Sequence, residues 1–433
     1  MGQEATSPAH VVLLASPGAG HVLPVAELAR RVVAHDAGFT ATVVTYANFS
    51  SADHSSTLAS LPPSVSTAVL PEVPLDDLPA DAVVETRIFT VVKRALPDLR
   101  DLLRSMIASP SGVAAFVPDL LSPWALEVAR ELGVPGYLFC TTNLMVLSTM
   151  LHLPELDRTT TCEFRANPAY QLMVELGKKQ LLADGFIVNT FDAMEHETVV
   201  AFKELSDKGV YPPAYAVGPF VRPRSGKEAA KHSCLRWLDE QPDRSVLYVC
   251  FGSGGALSNQ QTTELAAGLE ASGQRFLWVV RFPSDKDVSA SYFGPAGHGG
   301  GDPLSYLPEG FVERTKGVGL CVPRWAPLEA VAAGVPTLAW PLYAEQWMNA
   351  VMLSERAGLA LRPRASTRED GLVPREEVSA VVTELMAGEK GAAAREKARE
   401  LREAAEKAWG PDGLSRQAFK AVAGKWKKDA REG

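Results

Sequence analysis

From His10 to about Val210 the chain repeats one pattern, a short apolar run rich in β-branched residues followed by a longer stretch with apolar residues at helical spacing. Val11-Val12-Leu13-Leu14-Ala15, Phe39 to Thr45, Gly112 to Val117, Gly136 to Phe139 and Gly185 to Asn189 predict strands. Leu23 to His35, Thr86 to Met106, Ala125 to Leu132 and Asn143 to Leu153 predict helices. Such alternation predicts a parallel sheet with helices on both faces.

A polar stretch with several prolines and glycines, from Val217-Gly218-Pro219 to Glu228, then reads as a linker between domains. A second alternating series follows. Ser245 to Phe251, Arg275 to Arg281 and Gly319 to Val322 predict strands, and Asn259 to Ser272 predicts a helix. The glycine-rich run Ser289 to Pro303 reads as a surface loop. Arg395 to Trp409 and Ser415 to Lys427 read as terminal helices, the first solvated and the second amphipathic with a basic face. The expected division is residues 1–218 and 219–433, with the terminal helices in the second domain.

Composition narrows the class. A chain of 433 residues has room for two domains that each bury a core. Its net charge of −8 argues against a nucleic-acid footprint, which needs a clustered basic face. The five cysteines are scattered, without a C-x-x-C pair, and read as reduced thiols rather than a disulfide frame or zinc site. The apolar run at Val11 is too short for a membrane span. These features predict a cytoplasmic, monomeric protein without stable membrane insertion and without a bound metal.

Candidate chemistry gathers where strands hand over to helices. Ser16-Pro17-Gly18-Ala19-Gly20-His21 follows the first strand, at the carboxyl edge of the expected sheet. A dinucleotide fingerprint needs a third glycine where Leu23 stands, and the second strand ends without an acidic residue for a ribose, so a nicotinamide cofactor is not expected. His21 is either a general base or a cap on the helix start, and its spacing leaves both open. Asp119 ends the Phe116-Val117-Pro118 strand at the same edge, where a carboxylate holds an imidazole's orientation and stabilises its charged form. In the second half Gly252-Ser253-Gly254-Gly255 follows a strand and precedes a helix, a place where backbone amides and the Ser253 hydroxyl meet a diphosphate.

Several blocks, in order along nearly the whole chain, resemble the plant secondary-product UDP-glycosyltransferases. They include Ser16 to His21 with Pro24, Leu151-His152-Leu153-Pro154, Asp184 to Phe191, Cys234 to Asp239, Val249 to Gly255, Trp325-Ala326-Pro327 and Gly334 to Gln346. The likeness is strongest to the branch that glucosylates hydroquinone and phenylpropanoid phenols, through Ser253-Gly254-Gly255 and Trp340 to Val351. Pro118 and Ser122-Pro123-Trp124 depart from the family pattern beside Asp119. Between Pro327 and Leu328 the family carries a helix, a strand and the run H-C-G-W-N-S, none of which this chain has. A shorter acceptor-side loop is also expected between Arg165 and Ala166.

The resemblance implies an α/β fold of two Rossmann-like domains facing a cleft, the GT-B type, with the C-terminal domain lacking one strand. It implies His21 as base and Asp119 as its partner, with Thr141 near the transferred sugar. On the donor side it implies Ser253 at the diphosphate, Trp325 and Ala326 at the uracil, Glu329 at the ribose, and Glu345 and Gln346 at the sugar hydroxyls. The implied activity is inverting transfer of glucose from UDP-glucose, a co-substrate rather than a resident cofactor, to a small phenolic acceptor. The absent H-C-G-W-N-S would supply three diphosphate contacts worth about 1.5 to 3 kcal/mol each, not additively. A rival expectation is a catalytically defective paralogue that binds small molecules or a protein partner without turnover.

Overall fold

The computed structural model describes residues 8–35, 38–50, 52–79, 82–161, 165, 167–220, 233–252, 254–290, 301–323, 334–364 and 371–432. The chain forms two compact units, residues 1–221 with 405–433 and residues 222–404.

The first unit is a doubly wound parallel sheet. Its strands are β1 (Ala9–Leu14), β2 (Phe39–Tyr46), β3 (Val65–Leu70), β4 (Ala115–Pro118), β5 (Tyr137–Cys140), β6 (Gly185–Val188) and β7 (Ala214–Ala216). One parallel set runs β3-β2-β1-β4 and another β5-β6-β7. Parallel bridges Phe116–Gly136 and Asp119–Phe139 join β4 to β5. The order is therefore β3-β2-β1-β4-β5-β6-β7, and chain direction along the sheet reverses between β1 and β4, the switch point where open α/β sheets build their sites. Val11, Val12, Leu13 and Leu14 have no exposed surface, because helices cover both faces of β1. The single helix expected over Thr86 to Met106 is two, Val84–Arg94 and Leu96–Ile107. Pro97 sits in the first turn of the second, where its missing N–H is not needed.

The terminal helices are divided differently from the sequence expectation. Residues 405–433 belong to the first unit, not the second. Phe419 and Trp426 of the helix Leu414–Glu432 are wholly buried, and Trp426 packs edge-on against Phe39 and Tyr137 at centroid distances of 6.3 and 5.8 Å. Burying two large aromatics outweighs the solvation of the helix's basic face. Trp409 donates its indole N–H to the carbonyls of Val217 and Gly218, both at 3.1 Å.

The second unit contains β8 (Val246–Val249), β9 (Arg275–Val280), β10 (Gly319–Pro323), β11 (Thr337–Leu338) and β12 (Ala360–Leu361). Its core gathers Phe276, Trp278 and Phe311 beneath the helices Asn259–Ser272 and Arg375–Ala387. These helices approach closely at Gly268, where a Cβ would lie 2.4 Å from that of Val378. All pairing is parallel, but the strands form two sheets, β10-β9-β8 and β11-β12. In the Rossmann order 3-2-1-4-5-6, β8, β9 and β10 are positions one to three, and the paired β11 and β12 take five and six. Position four, beside β8, holds no strand among the described residues, and residues 324–333 lie outside them.

Candidate active site

Three chain segments end at the carboxyl edge of the first sheet around its switch point. Beyond β1 the chain turns at Gly18, whose φ of 110° favours glycine, and enters the helix Ala19–His35. The Gly18 carbonyl accepts from the backbone N–H of His21 and of Val22, both at 3.1 Å, so His21 is fixed in the first turn. Beyond β4, Asp119 is tied on both sides: its N–H donates to the Leu14 carbonyl, and the Phe139 carbonyl accepts from Leu120 N–H, each at 2.8 Å.

The two predicted catalytic residues meet. His21 Nδ1 lies 3.0 Å from Oδ2 and 3.0 Å from Oδ1 of Asp119. The Asp119 side chain has no exposed surface and that of His21 has 18%. A second bond, from Leu121 N–H to Asp119 Oδ1 at 3.0 Å, sets the carboxylate plane. With the carboxylate at Nδ1, the proton of neutral imidazole resides there and the lone pair is on Nε2. Such an arrangement can serve as a general base with its tautomer fixed, because a carboxylate at Nδ1 can stabilise the imidazolium that forms when Nε2 accepts a proton. His21 therefore stands in the first turn of the helix and also faces a carboxylate partner.

Thr141 follows β5 at the same edge, two residues beyond the Asp119–Phe139 bridge. Asn143 caps the next helix, Leu144–Thr159, by accepting from Val146 N–H at 2.9 Å. The buried Glu195 completes that helix start, accepting from Leu144 N–H and Met145 N–H at 2.9 Å and from Thr190 Oγ1 at 2.5 Å. Its sequence signal was only an acid in a helical run. The departures beside Asp119 are absorbed by packing. Trp124 is buried against Phe89, with ring centroids 5.3 Å apart, and donates to Glu175 Oε1 at 2.7 Å. Hydroxyls of Ser16, Tyr46 and Ser122 also meet beneath the dyad.

In the second unit Glu345 and Gln346 are adjacent at the start of the helix Gln346–Val351. Gln346 Oε1 accepts from Leu342 N–H at 2.9 Å and closes a turn that contains Ala344 at φ 54°. The loop beyond β8 comes close to this turn. A Cβ at Gly255 would lie 2.3 Å from the Phe251 carbonyl oxygen and 2.9 Å from Leu342, so only glycine fits. Phe251 meets Trp340 edge-on at 5.8 Å. Ser253, Trp325, Ala326 and Glu329 lie outside the described residues.

Two Rossmann-like units in one chain, the first with a histidine–aspartate pair at its switch point, are the architecture of the GT-B class of group-transfer enzymes. Comparison with known proteins makes this particular. Hydroquinone glucosyltransferase of Rauvolfia serpentina is 41% identical over 466 aligned positions, covering 96% of this chain and 97% of the relative. A UDP-glucosyltransferase from Polygonum tinctorium, described as capable of glucosylating indoxyl and solved with 3,4-dichloroaniline, superposes with a TM-score of 0.87 at 40% identity. That match covers 98% of this chain and all of the other. UGT2 of Phytolacca americana, solved with UDP-2-fluoroglucose and pterostilbene, gives 0.83 at 36% identity, over 97% of this chain and all of the other. No protein-family model matches the chain. The chain belongs to the plant UDP-glycosyltransferases.

Proposed function

We propose that this enzyme transfers glucose from UDP-glucose to the hydroxyl of a small phenol, of the size of hydroquinone or a simple phenylpropanoid, with inversion at the anomeric carbon. The observation that carries the reading is the His21 imidazole held 3.0 Å from the buried Asp119 carboxylate. His21 Nε2 takes the phenolic proton while the phenol oxygen forms a bond to the anomeric carbon. The bond from that carbon to the UDP oxygen breaks, and UDP leaves with the electron pair. A single displacement inverts the centre. Asp119 stabilises the imidazolium until the proton passes to solvent.

Membership of a family whose relatives carry glucosyltransferase names favours this reading over a binder without turnover. In this reading Thr141, Glu345 and Gln346 contact the sugar. Ser253, Trp325, Ala326 and Glu329 contact the rest of the donor. UDP-glucose is a co-substrate, no resident cofactor takes part, and the enzyme acts as a cytoplasmic monomer. The four described cysteines, Cys140, Cys234, Cys250 and Cys321, are free thiols, in keeping with a reducing compartment.

The test is UDP release by the full chain given UDP-glucose and a panel of simple phenols, beside His21→Ala. Release that depends on His21 is expected. Undiminished release in the variant, or none from folded wild-type protein, overturns the proposal.

A further inference from the structure

Beneath the dyad three hydroxyls from distant parts of the chain meet in a buried cluster. Ser16 follows β1, Tyr46 is the last residue of β2, and Ser122 lies in the turn after β4. Ser16 and Ser122 have no exposed surface and Tyr46 has 4%. Ser122 Oγ is the hub, 2.7 Å from Ser16 Oγ and 3.4 Å from Tyr46 OH. One hydroxyl hydrogen and two lone pairs let the hub donate to one neighbour and accept from the other. Burial above all, opposed by the bond to Ser122 and aided by the Asp119 charge, raises the Tyr46 phenol above its ordinary pKa.

Three buried hydroxyls are expensive unless each has a partner, and aliphatic side chains would fill the same space. Their placement shows what they tie together. Ser122 N–H donates to the Asp119 carbonyl at 2.8 Å, so Ser122 closes the turn that begins at the catalytic aspartate. Ser16 starts the loop that ends in His21. The Ser16–Ser122 bond and the His21–Asp119 bond therefore join the same two chain segments at two points, and Tyr46 ties the first of these to β2. The backbone bond from Asp119 N–H to the Leu14 carbonyl fixes where the two loops leave the sheet, and the Ser16–Ser122 bond adds a side-chain tie further along both of them.

We propose that Ser122, with Ser16 and Tyr46, is a positioning clamp that holds the His21–Asp119 pair in its productive geometry. The inference rests on the transfer reading above for its kinetic consequence and on the dyad alone for its spectroscopic one. Small losses of alignment at a reacting pair lower turnover more than binding.

Two measurements on the full chain test it: steady-state kinetics of Ser122→Ala and Tyr46→Phe, and the downfield proton resonance of His21 Nδ1–H, assigned by its loss in His21→Ala. In Ser122→Ala, kcat is expected to fall about tenfold with KM for UDP-glucose and phenol unchanged, and the resonance to broaden as Nδ1–H exchanges faster. Tyr46→Phe, which removes one oxygen and keeps the ring, should give the same change at smaller amplitude. Ser122→Thr, which restores a hydroxyl, should recover both. An unaltered kcat and a sharp resonance in Ser122→Ala would overturn the clamp. So would a kcat loss with the resonance intact that threonine does not repair, because that is what a purely structural role gives. If Ser122→Ala does not fold, Tyr46→Phe decides by the same readouts. If wild-type protein turns over no phenol, the transfer reading fails and the resonance alone decides the clamp.

Discussion

The two units follow one topological rule and differ at one position of it. In the first, β4 lies between β1 and β5, and the sheet runs unbroken over seven strands. In the second, no strand among the described residues lies between β8 and β11, and the sheet is divided. The central strands differ as well. All of β1 but His10 is buried, whereas all four residues of the equivalent β8 are only half-buried. The fourth strand is also where chemistry enters, since Asp119 is the residue after β4. A fourth strand therefore does two jobs: it covers the edge of the first strand, and it delivers a polar residue to the switch point.

The largest expected effect comes from making the units alike. Inserting after Pro327 a segment with one parallel strand ending in His-Cys-Gly-Trp-Asn-Ser fills position four of the second unit. Three charge-assisted contacts of about 1.5 to 3 kcal/mol each, even when far from additive, tighten UDP binding by about three orders of magnitude. Calorimetric titration with UDP measures it. Hydrogen exchange at Val246 to Val249 should slow in the same protein as β8 gains a neighbour. Unchanged affinity and unchanged exchange would mean the slot does not accept a strand.

The converse experiment removes what the fourth strand delivers to the first unit while leaving the strand in place. Asp119→Asn keeps the shape but loses the charge that fixes the imidazole tautomer, so kcat is expected to fall by about 10² to 10⁴ with phenol KM nearly constant. Progress curves of UDP release suffice. A loss confined to KM would assign Asp119 to acceptor binding instead.

How much of this was legible in the sequence depends on how local each signal is. The strands β1, β5 and β6 are short, mainly apolar runs, β2 is rich in β-branched residues, Asp119 stands directly after β4, and His21 follows the turn after β1. β3, read Val-Ser-Thr-Ala-Val-Leu, escaped because it is an edge strand with only its two end residues buried. β7 is three residues long and carries almost no periodic signal. The Ser16–Ser122–Tyr46 cluster joins positions 106 and 76 apart in the chain, and single serines beside strands are too common to single out. The rule that strand ends at a switch point converge was the one available pointer. Nor does an amphipathic pattern say which core its apolar face will enter, so sequence order alone assigns the C-terminal helix to the second unit while its packing lies in the first.

That placement can be tested by stability. Trp426→Ala leaves a large hole between Phe39, Tyr137 and Phe419, and such truncations cost about 3 to 5 kcal/mol. The loss should appear in amide exchange of β1 and β2 and leave the helix Asn259–Ser272 unchanged. Faster exchange in that helix instead would return the tail to the second unit.

The smallest effect sets two glycines against each other, one from each unit, and its value lies in the sign. Gly424 sits within the helix Leu414–Glu432, and a Cβ there meets nothing within 4 Å. Alanine removes unfolded-state freedom without a clash, so Gly424→Ala should stabilise by about 0.5 to 1 kcal/mol. Gly273 also has open space around it, but it ends the helix Asn259–Ser272 at φ 62°. Here alanine must enter the left-handed region, and the same substitution should destabilise by about 1 kcal/mol. Denaturant midpoints for the two variants, compared at equal slope, separate the cases. Opposite signs mean that backbone conformation governs both positions, whereas a loss at Gly424 would mean that this face of the terminal helix is more tightly covered than its open surroundings indicate.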